Sequence, residues 1–315
     1  MTSARQAIRE SRAAGQLKVL AKVPAPALRV LAGVRSAGLW LLEPFDYVGR
    51  LINGKTYLPP LAIRREAGPL AGLEQSGGEF AAYLKLLCGL SSQSRVLDIG
   101  CGFGLIGLQL KQYLQAPGSY TGLDVSRQAI RWAARHISST TTHFEFVHLD
   151  IQSSAYNPGG AVPADKVEFE LPSSSFDVIV LKSVFTHLRP EAASNYLRQV
   201  QRLLSPNGSC LATFFMFEPH HNRESKARPP TVDFRFGDDT WRYAVREMPE
   251  LAIAYARPNL VEMIATAGLS VKSMYCGTWT GGPGCLSYQD VVVLARSEGD
   301  GPAQSRATVE LAKQR

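Results

Sequence analysis

Cysteine and histidine are sparse in this chain, and their spacing is typical of neither a disulfide framework nor a metal site. The 315 residues contain five cysteines and six histidines. The cysteines stand at positions 88, 101, 210, 276 and 285 and form no CxxC pair. The adjacent His220 and His221 do not suit one metal ion, because neighbouring side chains rarely face the same ligand. We therefore expect reduced thiols in a cytoplasmic compartment and no bound metal.

A long uninterrupted apolar run is also lacking. The most apolar early window, residues 23–42, contains Arg29, Arg35 and two prolines. A secretory signal needs an unbroken apolar segment, and a spanning helix needs about 20 apolar residues in succession. The sequence therefore argues against both.

Acidic residues are scarce at the beginning of the chain. Residues 1–42 hold seven Lys or Arg and one acid, a net charge of +6 out of +7 for the whole chain. Residues 43–315 are thus nearly neutral, so the total charge does not predict a duplex-binding face. The basic extension suits a weak contact with a membrane surface or an acidic partner. A solvated extension and a transit peptide are the alternatives.

Strand and helix patterns alternate from residue 95 onwards. Short apolar runs predict strands at 95–99, 119–125, 144–150, 176–182 and 209–217. This alternation favours an α/β fold with a Rossmann-like, doubly wound sheet that is mostly parallel. Two further predicted strands, 270–276 and 286–296, are joined by a short connection. They complete a seven-stranded sheet with an antiparallel last strand pair.

The remaining segments are less regular. Residues 1–42 are predicted to be a basic helical or flexible extension, and residues 43–77 an irregular lead-in or cap. The main domain is expected over 78–296, with a polar and aromatic cap insertion at 218–255 that shows no clear strand pattern. Residues 297–315 are a polar tail.

The first predicted strand runs into a glycine-rich loop, VLDIGCGFG at residues 96–104. Ligands of doubly wound sheets bind at the carboxyl ends of the strands, where glycine allows unusual backbone angles and close approach. The loop matches GxGxxG, a weak signal for NAD or FAD, and Asp124 lies 20 residues after Gly104, where a carboxylate can accept ribose hydroxyls. A Walker loop is excluded, because no G-K-[ST] follows.

Asp98 decides between the adenosine ligands. It stands two residues before Gly100, where a carboxylate would repel the pyrophosphate of a dinucleotide. It suits a ligand that carries an ammonium group and no phosphate, such as S-adenosylmethionine. The alternative is that Asp98 only caps the loop backbone.

The motifs resemble a known family when they are taken together. VLDIGCGFG, Asp124, HLDIQ, FDVIVLKSVFTHL and LLSPNG occur in the order found in class I S-adenosylmethionine-dependent methyltransferases, over residues 78–217. Further stretches, such as LPPLAIRR (58–65), YNPGG (156–160) and YQDVVV (288–293), resemble a bacterial subgroup of small-molecule methyltransferases. The resemblance implies S-adenosylmethionine as cofactor and S-adenosylhomocysteine as product.

The resemblance also implies roles for single residues. The methionine arm is expected at the glycine loop, the ribose at Asp124, and the adenine beside Asp150 and Ile151. Lys182 is expected beside the methionine arm, and its ammonium facing the methionine carboxylate is the alternative. The implied cofactor residues are Asp98, Gly100, Cys101, Gly102, Gly104, Asp124, Val125, Asp150, Ile151, Lys182 and Ser183.

The reaction adds a requirement for a base. Methyl transfer from a sulfonium is an in-line displacement that the protein assists by alignment, and a hydroxyl acceptor must also lose a proton. His187, five residues after Lys182, is the first candidate, followed by His220 and His221. The alternative is that these histidines are loop residues bonded to backbone or exposed to solvent.

Aromatic residues near the cap predict the acceptor site. Packing of the cap onto the body is the other explanation for them. They favour an apolar or ring-bearing small-molecule acceptor. As the methylated atom, oxygen is expected in preference to nitrogen. Nucleic acid is not expected, since LKSV stands where amino-methylating DNA and RNA enzymes have N-P-P-Y or D-P-P-Y. An N-methyltransferase, an NAD(P)-dependent oxidoreductase and a non-catalytic binding module remain as alternatives. The candidate acceptor residues are Phe236, Trp241, Tyr243, Tyr255 and Trp279.

Overall fold

The computed structural model describes residues 38–68, 70, 72–137, 142–219, 230–281 and 285–297. The described strands are β1 (Arg95–Ile99), β2 (Ser119–Asp124), β3 (His143–His148), β4 (Phe176–Leu181), β5 (Leu204–Phe214), β6 (Met216–Phe217), β7 (Phe236–Gly237), β8 (Trp241–Tyr243), β9 (Ile253–Ala256), β10 (Leu269–Tyr275) and β11 (Asp290–Arg296). The helices used below are α1 (Glu43–Ile52), α2 (Leu61–Glu66), α3 (Leu73–Cys88), α4 (Leu105–Leu110), α5 (Arg127–His136), α6 (Pro190–Leu203) and α7 (Arg257–Thr266).

Seven of these strands form the central sheet, in the order β10-β11-β5-β4-β1-β2-β3. Neighbours from β5 to β3 pair in parallel, and β11 runs antiparallel to both β5 and β10. The predicted Rossmann-like α/β sheet with an antiparallel last pair is confirmed. The strand order reverses between β1 and β4, which is where a doubly wound sheet opens a crevice for ligands.

Alternating side chains of the central strands build one apolar core on each face of the sheet. Val178 and Val180 pack with Phe80 of α3 on one face, whereas Leu97 and Ile179 belong to the core on the other face. Successive strand residues point to opposite faces, so strands buried on both sides are apolar at nearly every position. These cores fix the carboxyl ends of β1, β2 and β4 relative to one another.

The lead-in over residues 43–77 is more regular than predicted. It contains α1, α2 and the beginning of α3. Pro44 occupies the first turn of α1, a position where its missing N–H costs no hydrogen bond. Pro44 and Pro59-Pro60 look like breakers in the sequence, yet they stand at helix beginnings and leave the helix interiors free of proline.

The cap also contains strands that the polar composition did not predict. A second sheet has the order β6-β9-β8-β7 and joins the end of β5 to residues 236–256. It covers its own apolar cluster, which includes Phe215, Phe234, Met248 and Trp279. The cap is therefore a small packed unit with its aromatic side chains inside.

Two further sequence-based expectations concern thiols and membranes. The sulfur atoms of Cys276 and Cys285 lie 2.9 Å apart between β10 and β11, a proximity that their spacing did not predict. In the part of the chain that the structure describes, no helix has the length and apolar character needed to cross a membrane.

Candidate active site

A cavity of about 200 Å³ opens at the carboxyl ends of β1, β2 and β4. Residues 98–103, 123–126 and 182–184 line it from the three strands. Ile63, Glu66 and Ala67 close it from α2 and its end. The cavity thus brings together sequence segments that precede, form and follow the glycine loop.

The glycine loop adopts a conformation that other residues resist. Gly100, Gly102 and Gly104 have φ angles of 77°, 57° and 80°, in the left-handed region where a Cβ is disfavoured. A Cβ on Gly100 would also lie 2.4 Å from Cγ2 of Val184. The amides of Gly100 and Cys101 both donate to the carbonyl oxygen of Leu123, at 2.7 and 3.0 Å. These bonds hold the loop against the end of β2.

Asp98 is a buried carboxylate that lacks one of its partners. Its side chain is 1% exposed, and Tyr120 donates a hydrogen bond to Oδ2 at 2.5 Å. Oδ1 is buried and has no hydrogen-bond partner among the described residues. Burial raises the pKa of Asp98 to about 7, although the Tyr120 hydroxyl and the nearby Lys182 ammonium oppose the rise. An unpaired buried carboxylate oxygen is costly unless a ligand satisfies it.

Asp124 is oriented by backbone amides at the end of β2. Gly102 N–H donates to Oδ2 at 2.6 Å, and Ser126 N–H donates to Oδ1 at 2.7 Å. Ser126 also caps α5, where its Oγ accepts from Ala129 N–H at 3.3 Å. Each carboxylate oxygen keeps a second lone pair for a ligand hydroxyl. Burial raises the pKa of Asp124, and the two amide bonds lower it.

Lys182 and Ser183 directly follow β4 and line the cavity. The Lys182 Nζ lies 5.1 Å from the Phe80 ring centroid, and burial lowers the pKa of Lys182 while Asp98 opposes that shift. Ser183 has a φ of 58°, unusual for a residue with a side chain. Its N–H donates to Thr213 Oγ1 at 2.7 Å, and its Oγ donates to Gln289 at 2.9 Å. These bonds stabilise the strained turn beside the cavity.

The structure places only the apolar part of the predicted adenine site at the cavity. Ile151 is buried and lines the cavity, together with Val125 and Leu149. Asp150 is exposed and is not among the lining residues of the described chain; its Oδ1 accepts from Asn157 at 3.3 Å. The contacts of Ile151 and Asp150 with the adenine stay predictions.

His187 lies in the 3₁₀ turn Phe185–His187 and lines the same cavity as Asp98. Its Nδ1 is 2.8 Å from the carbonyl oxygen of Glu250, and its Nε2 is 3.5 Å from the hydroxyl of Tyr156. A carbonyl can only accept, so Nδ1 carries the proton, and Nε2 is unprotonated and accepts from the Tyr156 hydroxyl. Burial lowers the pKa of His187, which favours the neutral imidazole. An acceptor hydroxyl would take the place of the long Tyr156 contact at Nε2.

Glu250 of the cap contacts His187, Arg189 after the His187 turn, and Ser154 in the loop that carries Tyr156. Its carboxylate accepts from the Ser154 N–H at 3.0 Å and from the Ser154 hydroxyl, and it lies 3.6 Å from Arg189. The cap thereby fixes the turn of His187 and the loop that carries Tyr156. Sequence patterns gave no signal for Glu250, whereas Tyr156 stands within the YNPGG motif.

The aromatic residues predicted to roof the acceptor site do not line this cavity. None of the five is among its lining residues in the described chain. Tyr255 is buried, and its hydroxyl donates to the Leu188 carbonyl at 2.5 Å; the Trp279 Nε1–H donates to Asp290 at 2.8 Å. The Tyr243 ring is tilted by 31° against the rings of Phe236 and Trp241, at centroid distances of 5.6 and 5.3 Å. Trp279 belongs to the apolar cluster of the cap, whereas Trp241, Tyr243 and Tyr255 pack with the core of the central sheet. A role of these residues at the acceptor site stays a prediction.

The other two candidate bases, His220 and His221, lie outside the described residues. Among the residues that are described, no three His, Cys, Asp or Glu side chains cluster in a way that could hold a metal ion. His187 is therefore the candidate base for which the structure provides geometry.

Comparison with known proteins points to a methyltransferase. A family model described as a methyltransferase domain matches residues 97–210. This match begins in β1 and ends in β5, so it contains the glycine loop, Asp124 and the His187 turn. The match supports a class I S-adenosylmethionine-dependent methyltransferase.

Curated relatives of the methyltransferase domain act on different acceptors. The chain is 32% identical to an arsenite methyltransferase of Aquipseudomonas alcaligenes over 38% of its length. It is 35% identical to phthiotriol/phenolphthiotriol dimycocerosates methyltransferase 1 of Mycobacterium ulcerans over 39%, and 30% identical to a tRNA N(3)-cytidine methyltransferase of Xenopus tropicalis over 39%. The matches span 34%, 38% and 34% of these relatives, in the order given. The chain therefore spans little more than a third of each relative's length.

The residues of the methyltransferase domain fit its family's cofactor. S-adenosylmethionine carries an ammonium group that matches the unpaired Oδ1 of buried Asp98. Its ribose hydroxyls match the acceptors that Asp124 keeps free, and its adenine matches the apolar wall at Ile151. The carboxylate of its amino-acid arm has Lys182 and the loop amides as cationic and donor groups. A dinucleotide would fit less well, because the Asp98 carboxylate would repel its pyrophosphate.

Proposed function

We propose that the protein transfers a methyl group from S-adenosylmethionine to a hydroxyl of a small-molecule acceptor, with His187 as general base. One observation carries the proposal. The unpaired carboxylate oxygen of Asp98 and the unprotonated Nε2 of His187 belong to residues that line one cavity. A cation-binding end and a proton acceptor in one enclosed space are what O-methylation requires.

The cofactor supplies a methyl group on a positive sulfur, which is activated for direct displacement. The chain contributes alignment, which can lower the barrier by up to roughly 7–11 kcal/mol. Asp98 and Asp124 bind the two polar ends of the cofactor, and Ser183 and Val184 form the wall beside the methionine arm.

His187 Nε2 accepts the proton of the acceptor hydroxyl in this proposal. The hydrogen bond from Nδ1 to the Glu250 carbonyl fixes the tautomer and supports the positive charge that develops on the ring. Tyr156, whose ring meets His187 edge-on at 5.4 Å, limits where the hydroxyl can lie. A base placed in this way contributes about 10²–10⁴-fold to the rate.

Charge favours a small acceptor over nucleic acid. The named acceptors of the relatives range from arsenite to cytidine in tRNA, so the family alone does not select one. Residues 43–315 carry a net charge of about +1, which follows from +7 in total and +6 in residues 1–42. Nucleic-acid affinity depends on many phosphate contacts to Lys and Arg, and the nearly neutral body supports a small molecule instead.

The test is transfer of labelled methyl from S-adenosylmethionine to fractions of a metabolite extract and, in parallel, to total tRNA. We expect a labelled small-molecule ether and no labelled tRNA. His187→Gln should lower turnover by about 10²-fold or more while the affinity for S-adenosylhomocysteine stays unchanged.

His136→Gln is the matched control. The Nδ1 of His136 also lies 2.8 Å from a backbone carbonyl, that of Trp132, but its ring stacks on Trp132 outside the cavity. Its turnover should equal that of the wild type. Labelled tRNA, or equal turnover of the two variants, would contradict the proposal.

A further inference from the structure

Helix α1 turns its charged side towards the protein. Glu43, Asp46 and Arg50 are its only charged residues. Arg50 is buried and pairs with both carboxylates, and Arg64 of α2 pairs with Asp46. The Glu43 carboxylate also accepts from the Leu61 N–H at 2.7 Å, at the beginning of α2. Charged side chains usually keep a surface helix in contact with water. Those of α1 are instead engaged in ion pairs and hydrogen bonds within the protein.

The opposite side of α1 is apolar and faces solvent within the described chain. Residues 38–41 are helical and lead directly into α1. The stripe of Leu41, Phe45, Val48 and Ile52, which we call the α1 face, follows the i, i+4, i+7, i+11 spacing of one helix side. These side chains are 78%, 78%, 52% and 79% exposed. A contiguous apolar surface of this kind marks a site that another apolar phase covers.

The residues that precede the α1 face in the sequence indicate which kind of surface covers it. Residues 1–37, which directly precede the described helix, contain seven Lys or Arg and one acid. Basic residues that precede an amphipathic helix in the sequence are typical of segments that bind anionic lipid surfaces. A second copy of the chain is a poorer occupant, because it would bring two strongly basic segments together.

We propose that the α1 face docks on an anionic lipid-bilayer surface, with the basic residues of 1–37 providing the electrostatic attraction. The ion pair between Asp46 and Arg64 and the hydrogen bond from Leu61 N–H to Glu43 keep the charged side of α1 on the protein during docking. α2 lines the cavity through Ile63 and Glu66, so docking would hold one wall of the active site close to the bilayer. The proposal concerns the surface alone and holds whatever the methyl acceptor is.

The test is flotation of the full chain with vesicles of phosphatidylglycerol and phosphatidylcholine in equal parts, and with vesicles of phosphatidylcholine alone. We expect binding to the anionic vesicles that weakens as salt is raised. Phe45→Ser together with Ile52→Ser should reduce the vesicle-bound fraction by about tenfold or more. Lys18→Glu, Lys22→Glu and Arg29→Glu together should reduce it by a similar factor.

Leu86→Ser is the matched control, because Leu86 is 79% exposed like Ile52 but lies on α3. It should bind vesicles as the wild type does, and thermal unfolding should show that all variants are folded. Absence of flotation, or equal flotation of the double variant and the control, would overturn the proposal. A dimer in sedimentation velocity that the double variant dissociates would also overturn it and assign the α1 face to a second copy.

Discussion

The cofactor half of the cavity is built from neighbours in sequence, and the acceptor half is built from distant segments. Gly102 and Asp124, which bond to each other in the cofactor half, are 22 residues apart. Ser154 and Glu250, which fix the acceptor half, are 96 residues apart. The first half follows from one β-α-β unit, whereas the second depends on how the cap packs.

The largest effect is expected when the cofactor half is broken at Asp124. Asp124→Ala removes a carboxylate that two backbone amides orient towards the ribose site. Hydrogen bonds to a charged group contribute about 1.5–3 kcal/mol each, so the affinity for S-adenosylhomocysteine should fall by about 10²-fold. Titration calorimetry measures this directly. An affinity within threefold of the wild type would mean that Asp124 serves only to hold the glycine loop.

A smaller loss of affinity is expected when Tyr120 is substituted. This substitution tests whether ligand binding needs the ionised form of Asp98. The pKa of Asp98 is raised to about 7 by burial, and the Tyr120 hydrogen bond lowers it. A cationic ligand needs the ionised carboxylate, so affinity should rise as the pH increases through about 7. Tyr120→Phe removes the donor and raises the pKa of Asp98 further, which should move this rise to higher pH and weaken binding at pH 7 by up to about tenfold. If the affinity for S-adenosylhomocysteine depended on pH in the same way in the wild type and in Tyr120→Phe, the Tyr120 hydrogen bond would not control the ionisation of Asp98.

The smallest effect is expected at Glu250, where the acceptor half is loosened without loss of the base. Glu250→Ala removes the carboxylate contacts to Ser154 and Arg189 but keeps the backbone carbonyl that holds His187. We expect turnover to fall severalfold and the affinity for S-adenosylhomocysteine to stay constant. Steady-state kinetics with the identified acceptor, together with calorimetry, separate the two quantities. A loss of cofactor affinity would show that the two halves are coupled.

Sequence reasoning found the cofactor half because its signals are local. Glycines at fixed spacing, Asp98 before them and Asp124 after β2 can be recognised without knowledge of packing. Tyr120 could have been found as well, since it lies two residues before Gly122, the partner of Asp98 in the sheet. Glu250 offers no such signal, because it acts on residues that only the folded cap brings near.

The errors have the same origin. The aromatic cap residues were assigned to the acceptor site by composition, but they pack in the apolar cluster of the cap, against the core of the central sheet or on one another, and do not line the cavity. Residues 43–77 were predicted to be an irregular lead-in or cap, whereas α1 and α2 form there and are joined by the ion pair between Asp46 and Arg64. Neither outcome follows from a local pattern, because both depend on contacts between segments.

The most direct test of the central claim is titration calorimetry of the full chain with S-adenosylhomocysteine and with NAD⁺ at pH 8, for the wild type and for Asp98→Ala. Asp98 is the residue that distinguishes a cationic amino-acid arm from a pyrophosphate. We expect the wild type to bind S-adenosylhomocysteine and not NAD⁺, and Asp98→Ala to lose most of this affinity while remaining folded. Binding of NAD⁺ by the wild type, without uptake of S-adenosylhomocysteine, would contradict the claim.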